Sequence, residues 1–272
     1  MTSILILEGN TANLVDEARA RNGVSPAQMY ELALKSQAPD IQCNIKAPYE
    51  CKITDENLDD IDWVVLTGSG VPWSVDDPQA RPLREAVTKV FERGIPTLAS
   101  CNGMQLGAVI LGGKIGVSPN GMEVGLALEI DRTSLGKGHS LLHGRTDGYA
   151  VPCAHRDEVQ ELPNKALHLA GNAHSPIQAF AYERGGVSFW GVQYHPEFTA
   201  AWVADLMRAP GTLWQNSTAA NLLDIADTDK NAAKQLGAGE EDLTPEVRVT
   251  EIRNWLAHID TYVILEHKQP NE

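Results

Sequence analysis

The chain has 272 residues, 43% apolar and 21% charged, which is enough to bury a sizeable core and far from the composition of a disordered segment. Acidic residues outnumber basic ones 36 to 22, giving a formal charge of −14 with no basic stripe, so a general phosphate-backbone or nucleic-acid binder is excluded. The opening apolar run is too short to span a membrane and lacks the flanks of an export signal. Cys43, Cys51, Cys101 and Cys153 form no Cys-x-x-Cys pair, so neither a disulfide framework nor a structural zinc site is expected, and a reducing cytoplasm is the expected setting.

Residues 3–7 form a continuous apolar run, the pattern of a strand buried on both faces of a parallel sheet. Ser25, Pro26 and Gln28 supply an N-cap, a first-turn proline and a capping-box glutamine, predicting a helix to about residue 36 with Met29, Leu32 and Ala33 on its inner face. A second strand is expected over 41–46 and a third over 63–66, ending abruptly at Thr67-Gly68-Ser69-Gly70. Helical spacing follows over 82–92, with a short strand over 96–99. That strand leads into Ser100-Cys101-Asn102-Gly103 and a helix over 104–111.

Strands and helices alternating over short connections predict βαβ units: an α/β fold with an open, mostly parallel sheet and helices on both faces. Ligand sites in such folds lie outside the carboxyl ends of the strands, where both the 68–70 loop and the 100–103 turn fall. Residues 115–190 read as strand-rich, including 124–130 and 188–192. The remainder reads as helical and polar, with apolar spacing at Val203, Leu206 and Met207 and at Val247, Ile252 and Trp255. The charged stretch 224–242 is expected to be a loop or an exposed helix. The organisation expected is one domain over 1–200 with a helical extension over 201–272 packed on it, as a cap over a pocket or a surface for a homo-oligomer.

Cys101 sits between a short strand and a helix, with small residues two positions away on either side, Ala99 and Gly103. This is the pattern of a nucleophile elbow: the tight turn needs small neighbours, and the helix N-terminus beside the sulfur favours an anionic form. By position alone a buried core cysteine is an equal reading. Cys101-Asn102-Gly103-Met104-Gln105 then resembles the Cys-x-Gly-x-Gln signature of the class I, triad-type glutamine amidotransferases. In that family the two residues before the cysteine are usually Gly and Ile or Val, where this chain has Ala99 and Ser100.

An apolar strand ending in Gln193-Tyr194-His195-Pro196-Glu197 resembles the second signature of the same family. The chemistry needs this pattern: an imidazole must exchange a proton near the sulfur, and a carboxylate must fix its orientation and tautomer. Together the two signatures and the 68–70 loop cover about residues 60–200, most closely resembling free-standing relatives of the amidotransferase domain of GMP synthase. The resemblance implies a flavodoxin-like core and Cys101, His195 and Glu197 as catalytic residues. It also implies oxyanion donors at the Ser69 and Asn102 backbone N–H groups, and Gly68, Gly70 and Gln105 at the substrate.

The segments 155–159 and 176–180 also resemble family sequence bordering the pocket, with no catalytic role expected for His155 or Asp157. His139, His143, His168 and His174 are expected to have local structural roles and to build no metal site. The scheme requires neither cofactor nor metal. The expected reaction is hydrolysis of a γ-glutamyl amide, a small-molecule substrate, through a thioester on Cys101. Two alternatives remain: a glutaminase subunit feeding ammonia to a separate synthetase chain, since no synthetase motif is present, and a non-catalytic scaffold. A cysteine peptidase of related architecture fits the two signatures poorly.

Overall fold

The structure, a computed structural model, describes residues 2–209 and 216–266. Parts of the C-terminal extension, 210–215 and 267–272, lie outside the described residues. In chain order the elements are β1 (Ser3–Leu7), α1 (Ala12–Asn22), α2 (Pro26–Gln37), β2 (Gln42–Lys46), β3 (Trp63–Leu66), α3 (Arg81–Glu92), β4 (Thr97–Ser100), α4 (Asn102–Ile110), β5 (Lys114–Val117) and β6 (Glu123–Arg132). They continue with α5 (Ser134–Gly138), β7 (Tyr149–His155), β8 (Asp157–Glu161), β9 (Leu167–Gly171), β10 (Ala179–Arg184), β11 (Val187–Val192) and α6 (Ala200–Arg208). The last are α7 (Ser217–Ala226), α8 (Lys230–Gln235), α9 (Pro245–Arg248) and α10 (Thr250–Glu266).

Among the described residues nine strands form one sheet in the order β2-β1-β3-β4-β11-β10-β9-β6-β7, and β5 pairs with β8 in a small separate ribbon. The first five strands in this order run parallel, and from β11 outward every pair is antiparallel. The expected parallel sheet is therefore the half that carries the site, extended by an antiparallel half. β1 is buried on both faces: Ile4 and Ile6 join one core with Trp63, Val65, Leu98 and Trp190, while Leu5 and Leu7 join the other with Val64, Leu66, Ala99 and Phe189. The period-2 alternation of a strand assigns neighbouring residues to opposite cores.

The capping box at Ser25 and Gln28 is present. The inner face of α2 differs from the expected one: Ala27, Tyr30, Ala33 and Leu34 are buried, whereas Leu32 is 55% exposed. The stripe runs through residues 27, 30 and 34, spacings of three and four, and a tyrosine occupies its centre. α1 was not expected, because it carries no apolar stripe and buries only Ala18. In the stretch 224–242, α8 is a real helix that packs on α7, with Ala232 and Ala233 buried in one apolar cluster with α6 and α7 residues, so flanking charges concealed an inner face.

The extension is tied to the rest of the chain by apolar and polar contacts. Trp255 meets Trp63 edge-on, with ring centroids 6.4 Å apart. Arg145 forms a two-point ion pair with Glu251, both bonds 2.8 Å and both side chains almost fully buried. The same Glu251 accepts from the Tyr194 hydroxyl at 3.0 Å, next to His195 in sequence.

Candidate active site

The register of three adjacent parallel strands gathers the site. Leu66 pairs with Ala99, and Val192 pairs with Ser100, so β3, β4 and β11 end side by side. The residues that follow those ends are the 67–70 loop, Cys101, and the 193–197 turn. Chain segments far apart in sequence converge because the sheet aligns their carboxyl ends.

Cys101 takes the strained backbone of an elbow, with φ 50° and ψ −113°. A non-glycine residue held at positive φ costs on the order of 1–3 kcal/mol and persists only where its surroundings fix it. Here the Cys101 N–H donates to Val192 O at 2.8 Å and its carbonyl accepts from Gln105 N at 3.0 Å. Gly103 permits the close approach of α4 to the end of β3: a Cβ there would lie 2.7 Å from the Leu66 Cβ and 3.0 Å from two carbonyl oxygens. α4 begins at Asn102, directly after the elbow, and the first amides of a helix have no intrahelical acceptor. The Asn102 N–H is thus one of the amides at the positive end of the helix that Cys101 precedes. The thiol itself donates to Ala154 O on β7 at 3.7 Å.

His195 Nδ1 and Glu197 Oε1 are 2.7 Å apart, and both side chains are buried. With Nδ1 occupied, Nε2 is the ring nitrogen left for Cys101. The ring is fixed on its face by Phe198, stacked at 4.2 Å and 10°, which in turn stacks on Trp202 of α6. The turn is fixed in its backbone as well: His195 N donates to Pro152 O at 2.8 Å, and Arg248 Nη1 of α9 donates to Pro196 O at 2.8 Å. Burial opposes a charge on the imidazole, but the Glu197 carboxylate and the Cys101 sulfur outweigh it and push His195 up to about 10.

The 67–70 loop is braced from β1. Asn10 Oδ1 accepts from Gly70 N at 2.8 Å, Ser69 Oγ donates to Gly9 O at 2.7 Å, and the Thr67 hydroxyl accepts from Gly9 N at 2.8 Å. Buried Glu8 binds Asn10 and the Ala27 amide at the start of α2. Sequence reasoning missed Glu8 and Asn10. Their one signal is that they follow the first strand, and the partners they hold lie 58–60 residues away or on α2.

Gln105 lies one turn into α4, its amide nitrogen donating to Asp157 O at 2.6 Å and Gln193 Oε1 at 3.2 Å. It thus links the two signature motifs. His155 Nε2 lies 2.8 Å from Glu123 Oε2, and Asn172 and Gln178 also donate to Glu123, each at 2.7 Å. Among the described residues, Glu123, His155 and His174 form the group that could hold a metal ion, with ligand atoms within 4.8 Å of one another. Asn172 and Gln178 donate to the carboxylate of Glu123 and the His155 ring faces it, whereas the buried His174 Nε2 has no hydrogen-bond partner. His139 and His168 make local bonds, to Leu141 N and to the Ala170 and Pro176 carbonyls.

The fold and this constellation define a cysteine-elbow α/β protein of the amidotransferase type. Residues 29–202 match the glutamine amidotransferase class-I family, and the chain belongs to that family. The gamma-glutamyl-L-1-hydroxyisopropylamide hydrolase of a Pseudomonas species is 32% identical over 277 residues, covering 94% of this chain and 92% of its own. The glutamine-hydrolyzing GMP synthase of a Nitratiruptor species is 37% identical over 129 residues, covering 47% of this chain and 24% of its own. A glutamine amidotransferase from Thermotoga maritima superimposes with a TM-score of 0.63 at 16% identity, covering 95% of this chain and 98% of its own, a likeness of fold. Among the described residues no helix is long and apolar enough to cross a membrane.

Proposed function

We propose that this chain hydrolyses the amide of a γ-glutamyl amine, or of glutamine, through a γ-glutamyl thioester on Cys101. The observation that carries the proposal is the strained Cys101 elbow beside an imidazole whose other nitrogen is held 2.7 Å from Glu197. With the thiol proton passed to His195 Nε2, the Cys101 sulfur attacks the γ-carbonyl carbon, and the new oxyanion is held by the Ser69 and Asn102 N–H groups. His195 passes its proton to the amide nitrogen as the C–N bond breaks, and the amine or ammonia leaves. Water then attacks the thioester and gives its proton to His195. The C–S bond breaks to release glutamate. Glu197 holds the imidazole in the Nδ1–H tautomer, and Gly68, Gly70 and Gln105 border the substrate.

The hydrolase reading is favoured over an ammonia-supplying subunit because the amide-hydrolase relative matches along nearly its whole length, whereas the GMP synthases match over about half of this chain. In this reading residues 1–200 form the catalytic domain and residues 201–272 an extension that braces it. Arg248 on the Pro196 carbonyl and Glu251 on Tyr194 support that role, one on each side of His195.

The test incubates the protein alone with glutamine and with γ-glutamyl amides of a small amine, an aromatic amine and a dipeptide, following glutamate release, with Cys101→Ala as control. Turnover of a γ-glutamyl amide faster than of glutamine supports the hydrolase. Glutaminase activity alone points to a synthetase partner. Equal turnover by Cys101→Ala overturns the mechanism.

A further inference from the structure

Glu197 has two carboxylate oxygens, and His195 uses one of them. The other, Oε2, accepts a hydrogen bond from Ser100 Oγ at 3.1 Å. Ser100 is the last residue of β4, immediately before Cys101, and it is completely buried. A serine hydroxyl has one proton to give, so with that proton on Glu197 it can only accept from the Tyr30 hydroxyl, its other partner. Tyr30 is the fully buried tyrosine at the centre of the inner face of α2. Burial, and next the charge of Glu197, push its phenol well above the usual range, so it remains a neutral donor.

The four groups then have a single polarity. Tyr30 donates to Ser100, Ser100 donates to Glu197 Oε2, and Glu197 Oε1 accepts from His195 Nδ1, which leaves Nε2 for Cys101. A carboxylate held by one oxygen can swing about its last bond; held by both, it has one orientation. In a site this buried, an Oε2 without a donor would be an unsatisfied charged acceptor.

We propose that Tyr30 and Ser100 are positioning residues that lock Glu197 through Oε2 and so keep His195 aimed at Cys101, an inference that rests on the reading of these three as the catalytic residues. α2 thereby becomes part of the active-site support. The titratable and charged groups around Glu197 are His195 in its own turn, Tyr30 from α2, and Arg248 from α9. Cys101 acts on both His195 and Tyr30, and Glu251 of α10 acts on Tyr30.

The experiment compares wild type, Ser100→Ala, Tyr30→Phe and the double variant by two readouts. One is the pH profile of kcat and KM with a γ-glutamyl amide. The other is the pH profile of Cys101 alkylation by iodoacetamide, read on the Cys101 peptide by mass spectrometry, which needs no turnover. Ser100→Ala is expected to lower kcat about tenfold with KM within about twofold, and to shift the edges of both profiles, the alkaline edge of kcat moving down by about one pH unit. Tyr30→Phe shifts both in the same direction and less. The double variant is no worse than Ser100→Ala within about twofold, because Tyr30 acts through Ser100.

A lowered melting temperature with unmoved edges, or losses that multiply in the double variant, would overturn the inference. If Ser100→Ala does not fold, Tyr30→Phe, which keeps the ring, decides by the same edge. If wild type turns over none of the amides, the functional reading fails. The alkylation profile then decides the positioning alone: a shifted edge supports it and an unshifted one overturns it.

Discussion

Gly68 and His195 face each other so closely that a Cβ on residue 68 would lie 2.4 Å from Cε1 of the imidazole and 3.3 Å from the Cβ of Cys101. The imidazole cannot yield easily, because Glu197 holds its edge and Phe198 its face. Gly68→Ala should therefore displace the ring or the loop that carries Ser69. Misplacing catalytic groups by about an ångström costs on the order of 10²-fold, so kcat should fall by about that factor. Steady-state kinetics beside a urea melt check this; a full-rate Gly68→Ala enzyme would refute it.

Glu197→Gln keeps the size of the side chain and removes its charge. The Nδ1–H tautomer loses its acceptor preference and the imidazolium loses its counter-charge. The expected result is a kcat reduced by about 10²-fold or more at unchanged fold, measured by steady-state kinetics and circular dichroism. Activity within a few fold of wild type would show that the carboxylate is incidental.

The raised His195 makes a stability prediction with a definite sign. Its imidazole ordinarily titrates near 6.5 and is pushed up to about 10 here. The folded state thus binds this proton more tightly than the unfolded chain. The stabilisation is complete below about 6.5 and is lost as pH rises toward about 10. In urea unfolding, the advantage of wild type over His195→Gln should accordingly shrink from pH ~6 to pH ~10. Activity should fall over the same alkaline range, since the leaving nitrogen needs the imidazolium proton. An advantage constant across that range would contradict the assignment.

The Arg145–Glu251 pair predicts an asymmetry between single and double variants. Glu251→Ala leaves the Arg145 guanidinium buried without its counter-charge, and should cost roughly 3–5 kcal/mol in chemical unfolding. Replacing both, as Arg145→Met with Glu251→Leu, should recover most of that stability. It would still remove the Glu251 acceptor of the Tyr194 hydroxyl and leave it the Tyr149 hydroxyl alone, with a detectable loss of kcat next door at His195. Equal stability of the single and double variants would show that the pair is not coupled.

What the sequence made legible follows from how local each feature is. Cys101 with its small neighbours, and His195 with Glu197 two residues on, are short motifs, and the strand ends that bring them together are readable from alternation and glycine punctuation. The supporting groups are not local. Ser100 reaches Glu197 across 97 residues of sequence, Tyr30 reaches Ser100 across 70, and Arg145 reaches Glu251 across 106. Each looks like an ordinary surface or core residue until the partner is known. Assigning Leu32 rather than Tyr30 to the inner face of α2 hid the tyrosine. The one available sign was Ser100 itself, a polar residue where the family resemblance leads one to expect Ile or Val.

The central claim is that a γ-glutamyl group passes through Cys101. Mixing enzyme with a γ-glutamyl amide, quenching rapidly in acid and mapping peptides by mass spectrometry tests it most directly. The account predicts one added γ-glutamyl group on the peptide bearing Cys101, labile to hydroxylamine, and no such adduct in Cys101→Ala. Glutamate release at full rate with Cys101 unmodified, or from Cys101→Ala, would contradict it.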